Sequence, residues 1–383
     1  MTTLTHMVDQ TTSTAQLFVA FELGNKTWKL GFTTGVGQKP RERNIPARNG
    51  QAFLNELDRA RQRFHVPPEA LVVSCYEAGR DGFWLHRFLE AHGVSNVIVD
   101  SSSIEVQRRR KRVKTDRLDV HKLLTMLLRY HAGERRVWSV VRVPTVAEED
   151  RRHLNRELVA VKRERTRITN RIKGLLANQG VSLPLKGDVP AQLDGVRLWD
   201  GSALPSDLLR RLKREWDTVI FLSDQIASIE SERREALRHS DDASIEKVRQ
   251  LMMLKGVGAN SSWLFVMEFF GWRTFHNRKE VGALAGLTPT SRASGDVHHE
   301  LGISKTGNRQ LRAIAIEIAW GWLRFQPTSA LTAWYQERFG RGSGRLRRIG
   351  IVALARRLLI ALWQYLETGV LPEGAELKPT CPF

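Results

Sequence analysis

Residues 70–78, ALVVSCYEA, form a nearly unbroken apolar run that stops on a carboxylate. A short run rich in β-branched residues offers water no polar face, so it fits the centre of a sheet covered on both sides. Such a strand needs neighbours and covering layers, and the flanking sequence supplies both. LFVAFEL and WKLGFTT, joined by GNK, read as a hairpin starting at Leu17. GQAFLNELDRARQRF carries Phe53, Leu54 and Leu57 at helical spacing, DGFWLHRFLEAHG is a helix capped near Gly93, SNVIVD is another strand, and DRLDVHKLLTMLLRYHAG is a helix ending at Gly133. A hairpin followed by alternating helices and strands predicts an α/β layer domain over residues 17–145, behind a flexible leader, 1–16.

The apolar period then changes from two to seven. Leu158, Val161, Ile168, Ile172 and Leu175 recur at heptad spacing, with Arg165 interrupting the seam. A second helix, with Ser206 as its expected N-cap, repeats the pattern in Leu212, Trp216, Val219 and Ile226. Residues 146–248 therefore read as a helical pair, either an antiparallel hairpin or a coiled coil shared between subunits. A mostly helical third region, 249–368, opens with LMMLKGVGANSSWLFVMEF, the arrangement of a helix-hairpin-helix. In that arrangement Gly256 and Gly258 let backbone amides approach a phosphate. LAGLTPTSRASG reads as a turn-rich loop, ISKTGNRQLRAIAIEIAWGWL as a helix with Lys305, Arg309 and Arg312 near its start, and RRIGIVALARRLLIALWQYL as the helix that closes the region. The tail, 369–383, shows little pattern.

Charge narrows the partners. A formal net charge of +19 over 383 residues repels itself unless a polyanion neutralises it, so nucleic acid is the expected partner. No membrane partner is expected, because no apolar run approaches the roughly 18 residues a spanning helix needs. The polar N-terminus lacks a basic start followed by an apolar stretch, so no secretory signal is read there. Two cysteines far apart, Cys75 and Cys381, argue against a disulfide framework or zinc cluster and for a reducing, cytoplasmic setting.

The charge is densest in RRRKRVKTDRLD, where Arg108, Arg109, Arg110, Lys111, Arg112 and Lys114 precede two carboxylates, Asp116 and Asp119. Residues at i and i+3 share a helix face, so both acids can meet one object. Glu22 and Glu77 end predicted strands, at the sheet edge where ligands of α/β proteins bind. Clustered carboxylates raise one another's pKa values unless a cation compensates, and Mg2+ or Mn2+ with oxygen ligands is the natural one. Two such ions stabilise an in-line displacement at phosphorus. Cations to seat phosphates beside acids that hold a metal describe a phosphodiester-cutting site.

The order of strand-end acid, YEAG and KTDRLDVHKLL, followed by LKGVG, LAGLTPTSRASG and ISKTGNRQLR, resembles the DEDD-type insertion-sequence transposases of the IS-one-ten family over most of residues 17–335. The resemblance implies an N-terminal RuvC-like (RNase H-like) domain with Glu22, Glu77, Asp116 and Asp119 as its acidic tetrad. The family's first acid is usually Asp, and the Glu22 carboxylate reaches one methylene further. It also implies that Ser294 of RASG is the nucleophile, forming a phosphoserine link to DNA that stores the ester for rejoining. His298 and His299 are the nearest bases in sequence. Further implications are DNA partners at the element ends and target, a noncoding bridge RNA as guide, a homo-oligomer (dimer or tetramer) with composite sites, and a bacterial, nucleoid-associated setting. The residues also leave open a RuvC-like structure-specific endonuclease using metal-bound water, or a catalytically impaired nucleic-acid-binding protein.

Overall fold

A computed structural model describes residues 15–104, 116–294 and 297–380. Arg108, Arg109, Arg110, Lys111, Arg112, Lys114, Cys381 and residues 1–14 lie outside the described residues. The chain separates into two compact units, Met1–Pro144 and Thr145–Phe383.

The first unit is a mixed α/β fold. Strands β1 (Gln16–Leu23) and β2 (Thr27–Thr33) form the expected hairpin, with Glu22 opposite Lys29. A third antiparallel strand, β3 (Arg41–Pro46), extends it. RERNIP is too charged to predict a strand, but an edge strand needs only part of one face inside, and charge protects its open edge. Arg41 points inward, its Nη2 2.5 Å from Glu56 Oε2 on α1 (Gly50–Phe64). Strand β4 (Leu71–Glu77) runs parallel to β1 at the centre, α2 (Trp84–Ala91) follows, and β5 (Val94–Val99) runs parallel to β4. The sheet order is β3-β2-β1-β4-β5.

Alternation along the strands assigns their residues to two cores. Leu17, Val19 and Phe21 of β1 join Val72 and Tyr76 of β4 against Phe53 and Leu57 of α1 and Leu85 and Leu89 of α2. Phe18 and Ala20 join Val73 and Cys75 against Val120, Leu123, Leu124 and Leu127 of α3 (Asp116–His131). The apolar run 70–78 is thus covered on both faces because its two alternating sets are both apolar.

The second unit is mainly helical. Helix α4 (Val146–Ala177) starts with a capping box between Thr145 and Glu148 and packs antiparallel against α6 (Ser206–His239), with α5 (Val189–Asp194) between them in sequence. Lys162 reaches Glu230 at 2.6 Å, and Arg171 pairs with Glu215 further along, which fixes the opposite directions. Leu158 meets Ile226 and Ile229, while Ile168 and Ile172 pack with Leu212, Trp216 and Val219. Two details differ from expectation. Leu176, rather than Leu175, is the deeply buried seam residue, and Pro205 is the N-cap of α6, Ser206 being already helical.

Helix α7 (Ala243–Met252), a turn, and α8 (Ala259–Phe265), prolonged by a π-turn at Val266–Phe270, reproduce the helix–turn–helix arrangement. Then come α9 (Arg278–Leu284), the hairpin β6 (Pro289–Ser294) and β7 (Val297–Ile303), α10 (Arg309–Phe325), α11 (Ala330–Tyr335) and α12 (Gly344–Thr368). Pro, Thr and Ser are turn formers, so the sequence predicts a loop at β6; pairing with β7 overrides that preference. Helix α12 is long and apolar enough to cross a membrane by length and composition, contrary to the expectation that no such run exists. Half of that stretch is buried, and Leu354, Leu358, Leu359 and Leu362 belong to the core with Phe265, Phe269 and Trp322. The tail is also more ordered than its sequence implies. Leu377 bridges to Leu254, Glu376 O accepts from Lys255 N at 3.1 Å, and Lys378 Nζ donates to Val257 O at 2.8 Å.

Candidate active site

Two acids of the first unit, Glu22 and Glu77, stand at one end of one sheet face, and Asp119 stands on the helix that covers it. Glu22 follows Phe18 and Ala20 in the alternation that faces α3, and Glu77 follows Val73 and Cys75 on that same face. Both are half-buried. The parallel register pairs Phe21 with Tyr76, so the next residues, Glu22 and Glu77, are neighbours across adjacent strands.

Helix α3 brings the third acid there. A Cβ on Gly31 would collide with Val120 and lie 2.8 Å from Leu124 Cδ1, so this part of α3 rides on Gly31, which pairs with Ala20. Near the other end of the helix, His131 stacks edge-on to Phe18 at 5.2 Å between ring centroids. The helix therefore runs against β1, and its first turn lies toward Glu22. Asp119, half-buried, stands one turn before Leu123, whose carbonyl lies 3.9 Å from Cys75 Sγ. Burial raises the Cys75 thiol pKa above its ordinary value, so this cysteine is packing material rather than a nucleophile. Asp116 is the first residue of α3; its side chain lies outside the description.

Other charges frame the edge. Lys29, opposite Glu22, ion-pairs with Glu42 at 3.5 Å, and Glu42 Oε1 lies 2.8 Å from His121 Nε2. Asp81, which the sequence reading passed over, has a buried carboxylate 2.8 Å from the Arg48 guanidinium. Among the described residues no three of His, Cys, Asp and Glu are close enough to hold a metal ion. Glu22, Glu77 and Asp119 carry hard oxygen donors, the type magnesium prefers, but as placed here they do not form a group that holds an ion.

In the second unit Ser294 is the last residue of β6 and pairs with Val297, closing the hairpin over residues 295–296, which lie outside the description. In the ladder His298 pairs with Ala293 and His299 with Arg292. The loops at the hairpin's base are locked together. Gly286 (φ +67°) and Gly307 (φ +72°) sit in the left-handed region, and a Cβ on Gly286 would lie 2.8 Å from Thr306 N. Arg312 Nη1 braces the same loop by donating to the carbonyls of Thr306 and Gly307. Lys305 and Arg309 are exposed.

In the turn containing Gly256 and Gly258, three of the backbone amides have partners within the chain. Lys255 N donates to Glu376 O, Val257 N to Leu254 O and Gly258 N to Ser261 Oγ, so these three amides are satisfied within the chain. Gly256, at φ +82°, lies against Phe325. The left-handed backbone gives Gly256 a reason in the turn itself, whereas Gly258 is extended with open space where a Cβ would stand. The cations of α12 are further candidates that the motifs above do not include. Arg345, Arg348, Arg356 and Arg357 interrupt an apolar helix, and that interruption was the available signal.

Comparison with known proteins adds the family. A family model described as "Transposase IS116/IS110/IS902 family" matches residues 248–335, which hold the turn, the β6–β7 hairpin and α10. A Sinorhizobium fredii protein named "Putative transposase y4rJ" is 41% identical over 379 residues, 94% of each chain. The transposase for insertion sequence element IS1328 of Yersinia enterocolitica is 30% identical over 166 residues, 43% of this chain and 48% of that one. The transposase for IS1111A of Coxiella burnetii is 24% identical over 239 residues, 61% and 63% of the two chains. This chain belongs to the IS116/IS110/IS902 family of transposases. It is a DNA-recombining enzyme, and DNA is its partner.

Proposed function

We propose that this transposase cuts and rejoins DNA with Ser294 as nucleophile and a RuvC-like acidic site, Glu22, Glu77, Asp116 and Asp119, as its second half. The observation that carries the reading is that Glu22 and Glu77 end adjacent strands on the sheet face covered by α3, the helix that carries Asp119. An antiparallel meander continued by two parallel strands supports the RuvC-like assignment.

Attack by the Ser294 oxygen on phosphorus forms one P–O bond as the bond to the departing sugar oxygen breaks. The hydroxyl proton passes to a base, with His298 or His299 nearest in the ladder, and the departing oxygen is protonated to a free sugar hydroxyl. The number of phosphate ester bonds is unchanged, so the reverse attack reseals the strand without an external energy source. Magnesium or manganese held by the four acids would supply charge stabilisation at the attacking and leaving oxygens. Seating of the phosphate backbone falls to the basic run, Arg108, Arg109, Arg110, Lys111, Arg112 and Lys114, and to Lys305 and Arg309. A noncoding bridge RNA as guide and a dimer or tetramer that combines the two halves of the site complete the proposal.

The test is to trap protein covalently on a supercoiled substrate carrying the element ends and flanking DNA, then map the adduct. The expected adduct is on Ser294, and Ser294→Ala yields none. Cutting with release of free ends by Ser294→Ala would instead establish a nuclease that uses water.

A further inference from the structure

The second unit contains a groove of about 1080 Å³ between α12, the start of α9, α11 and the base of the β6–β7 hairpin. Its floor is apolar and aromatic, with Leu287, Trp334, Val352 and Ile360. Eight Lys and Arg side chains line it, with no Asp or Glu among the lining residues. Among the described residues none of the eight forms an ion pair, although the unit has many elsewhere. Arg357 stacks on the Trp334 ring with Cζ 4.1 Å from the centroid, and Arg338 lies at 5.7 Å from the same ring. Burial and the neighbouring Arg338 both lower the Arg357 pKa, the signature of positive charge lacking a counter-charge.

We propose that this groove seats a single strand of DNA, its phosphates on the cationic rim at Lys279, Arg345 and Arg348 and its unpaired bases over Trp334 and the apolar floor. A duplex offers phosphates to such a rim but keeps its bases stacked on one another, so only unpaired bases can use the floor. Uncompensated cations beside an aromatic ring are the combination that binds single strands. Pro289, Gly302 and Ile303 at the hairpin base form one wall, and Ser294 lies five residues further along β6, about 17 Å at strand rise. A strand held here therefore leads toward the hairpin tip. That last link rests on the Ser294 reading above; the groove's affinity does not.

The experiment measures fluorescence anisotropy of a labelled 20-nucleotide single-stranded DNA, its duplex and the RNA of the same sequence against the full-length protein over a salt series. Arg345→Glu/Arg348→Glu is expected to weaken single-strand DNA binding tenfold or more. It should also flatten the slope of log affinity against log salt by about 1.4, the contribution of two single-strand phosphates. Arg345→Lys/Arg348→Lys should keep both properties, showing that the fold is intact, and Trp334→Leu should weaken the single strand while sparing the duplex. Arg238→Glu, a reversal on exposed α6 surface, should change the slope less than the groove pair does. Unchanged single-strand binding by Arg345→Glu/Arg348→Glu, or a loss on Trp334→Leu as large for the duplex as for the single strand, or larger for RNA than for DNA, would overturn the proposal. Ser294→Ala leaves the groove intact, so its cleavage result bears only on the nucleophile, and its oligonucleotide binding should equal that of wild type.

Discussion

Glu22 is the residue on which the proposed acidic site turns. It faces Lys29 across the hairpin and Glu77 across the parallel pair, so its carboxylate stands where a strand-end cation site would form. Glu22→Gln keeps the shape and removes the charge; DNA cleavage should fall at least a hundredfold while folding, read by thermal melting, stays the same. Glu22→Asp, which withdraws the carboxylate by one methylene, should cleave at or above the wild-type rate. A different acid, Glu268, is structural. It is 5% exposed, with Arg156 Nε at 2.7 Å and Arg152 Nη2 at 3.2 Å. Burial alone would raise its pKa, but the two guanidiniums outweigh it and hold the carboxyl below its ordinary 4.5. A lowered folded-state pKa gives stability that is complete above the unfolded value and is lost as pH falls through the folded one. Glu268→Gln leaves Arg152 without its charge partner and should cost about 3 kcal/mol in denaturant unfolding at pH 7, with the difference from wild type shrinking below pH 4.5.

At the scale of elements, α3 is positioned by a missing side chain. Gly31 lets Val120 and Leu124 settle onto the sheet, so Gly31→Val should cost roughly 1–3 kcal/mol by overpacking and reduce cleavage by displacing Asp119. Circular dichroism melts and a cleavage assay separate the two effects; undiminished cleavage would mean that α3 need not sit where it does. The same elements show what the sequence made legible. The central strand, the hairpin, α3 and the helical pair were readable because each repeats apolar residues at a period that only one element satisfies. Strand β3 was not readable: RERNIP has only Arg41 and Ile45 buried, and Arg41 depends on Glu56, a residue on another element. Strand β6 was hidden by turn-forming residues, and the order of the tail by contacts 121 and 126 residues away in sequence. Strand-end position and helical spacing picked out Glu22, Glu77 and Asp119, whereas no local pattern gathers cations from α9, the turn after α11 and α12 into one groove.

The whole molecule carries a net charge of +19 on two units with separate cores. Binding to DNA should therefore be strongly electrostatic. With several phosphates neutralised, affinity should drop about a thousandfold between 50 and 200 mM salt in a filter-binding or anisotropy titration. A shallow dependence would mean that most of the charge faces away from DNA. If the acids and Ser294 complete one site from different copies, Asp119→Asn and Ser294→Ala proteins, each inactive alone, should regain part of the cleavage when mixed. The stitching of Glu376 and Lys378 onto the α7–α8 turn has a practical bearing on such work. A dye attached at the exposed Thr380 would hang from a sewn-down segment, while the enclosed thiol of Cys75 stayed inert to the reagent. Its signal would then serve as a thermometer for the C-terminal half alone.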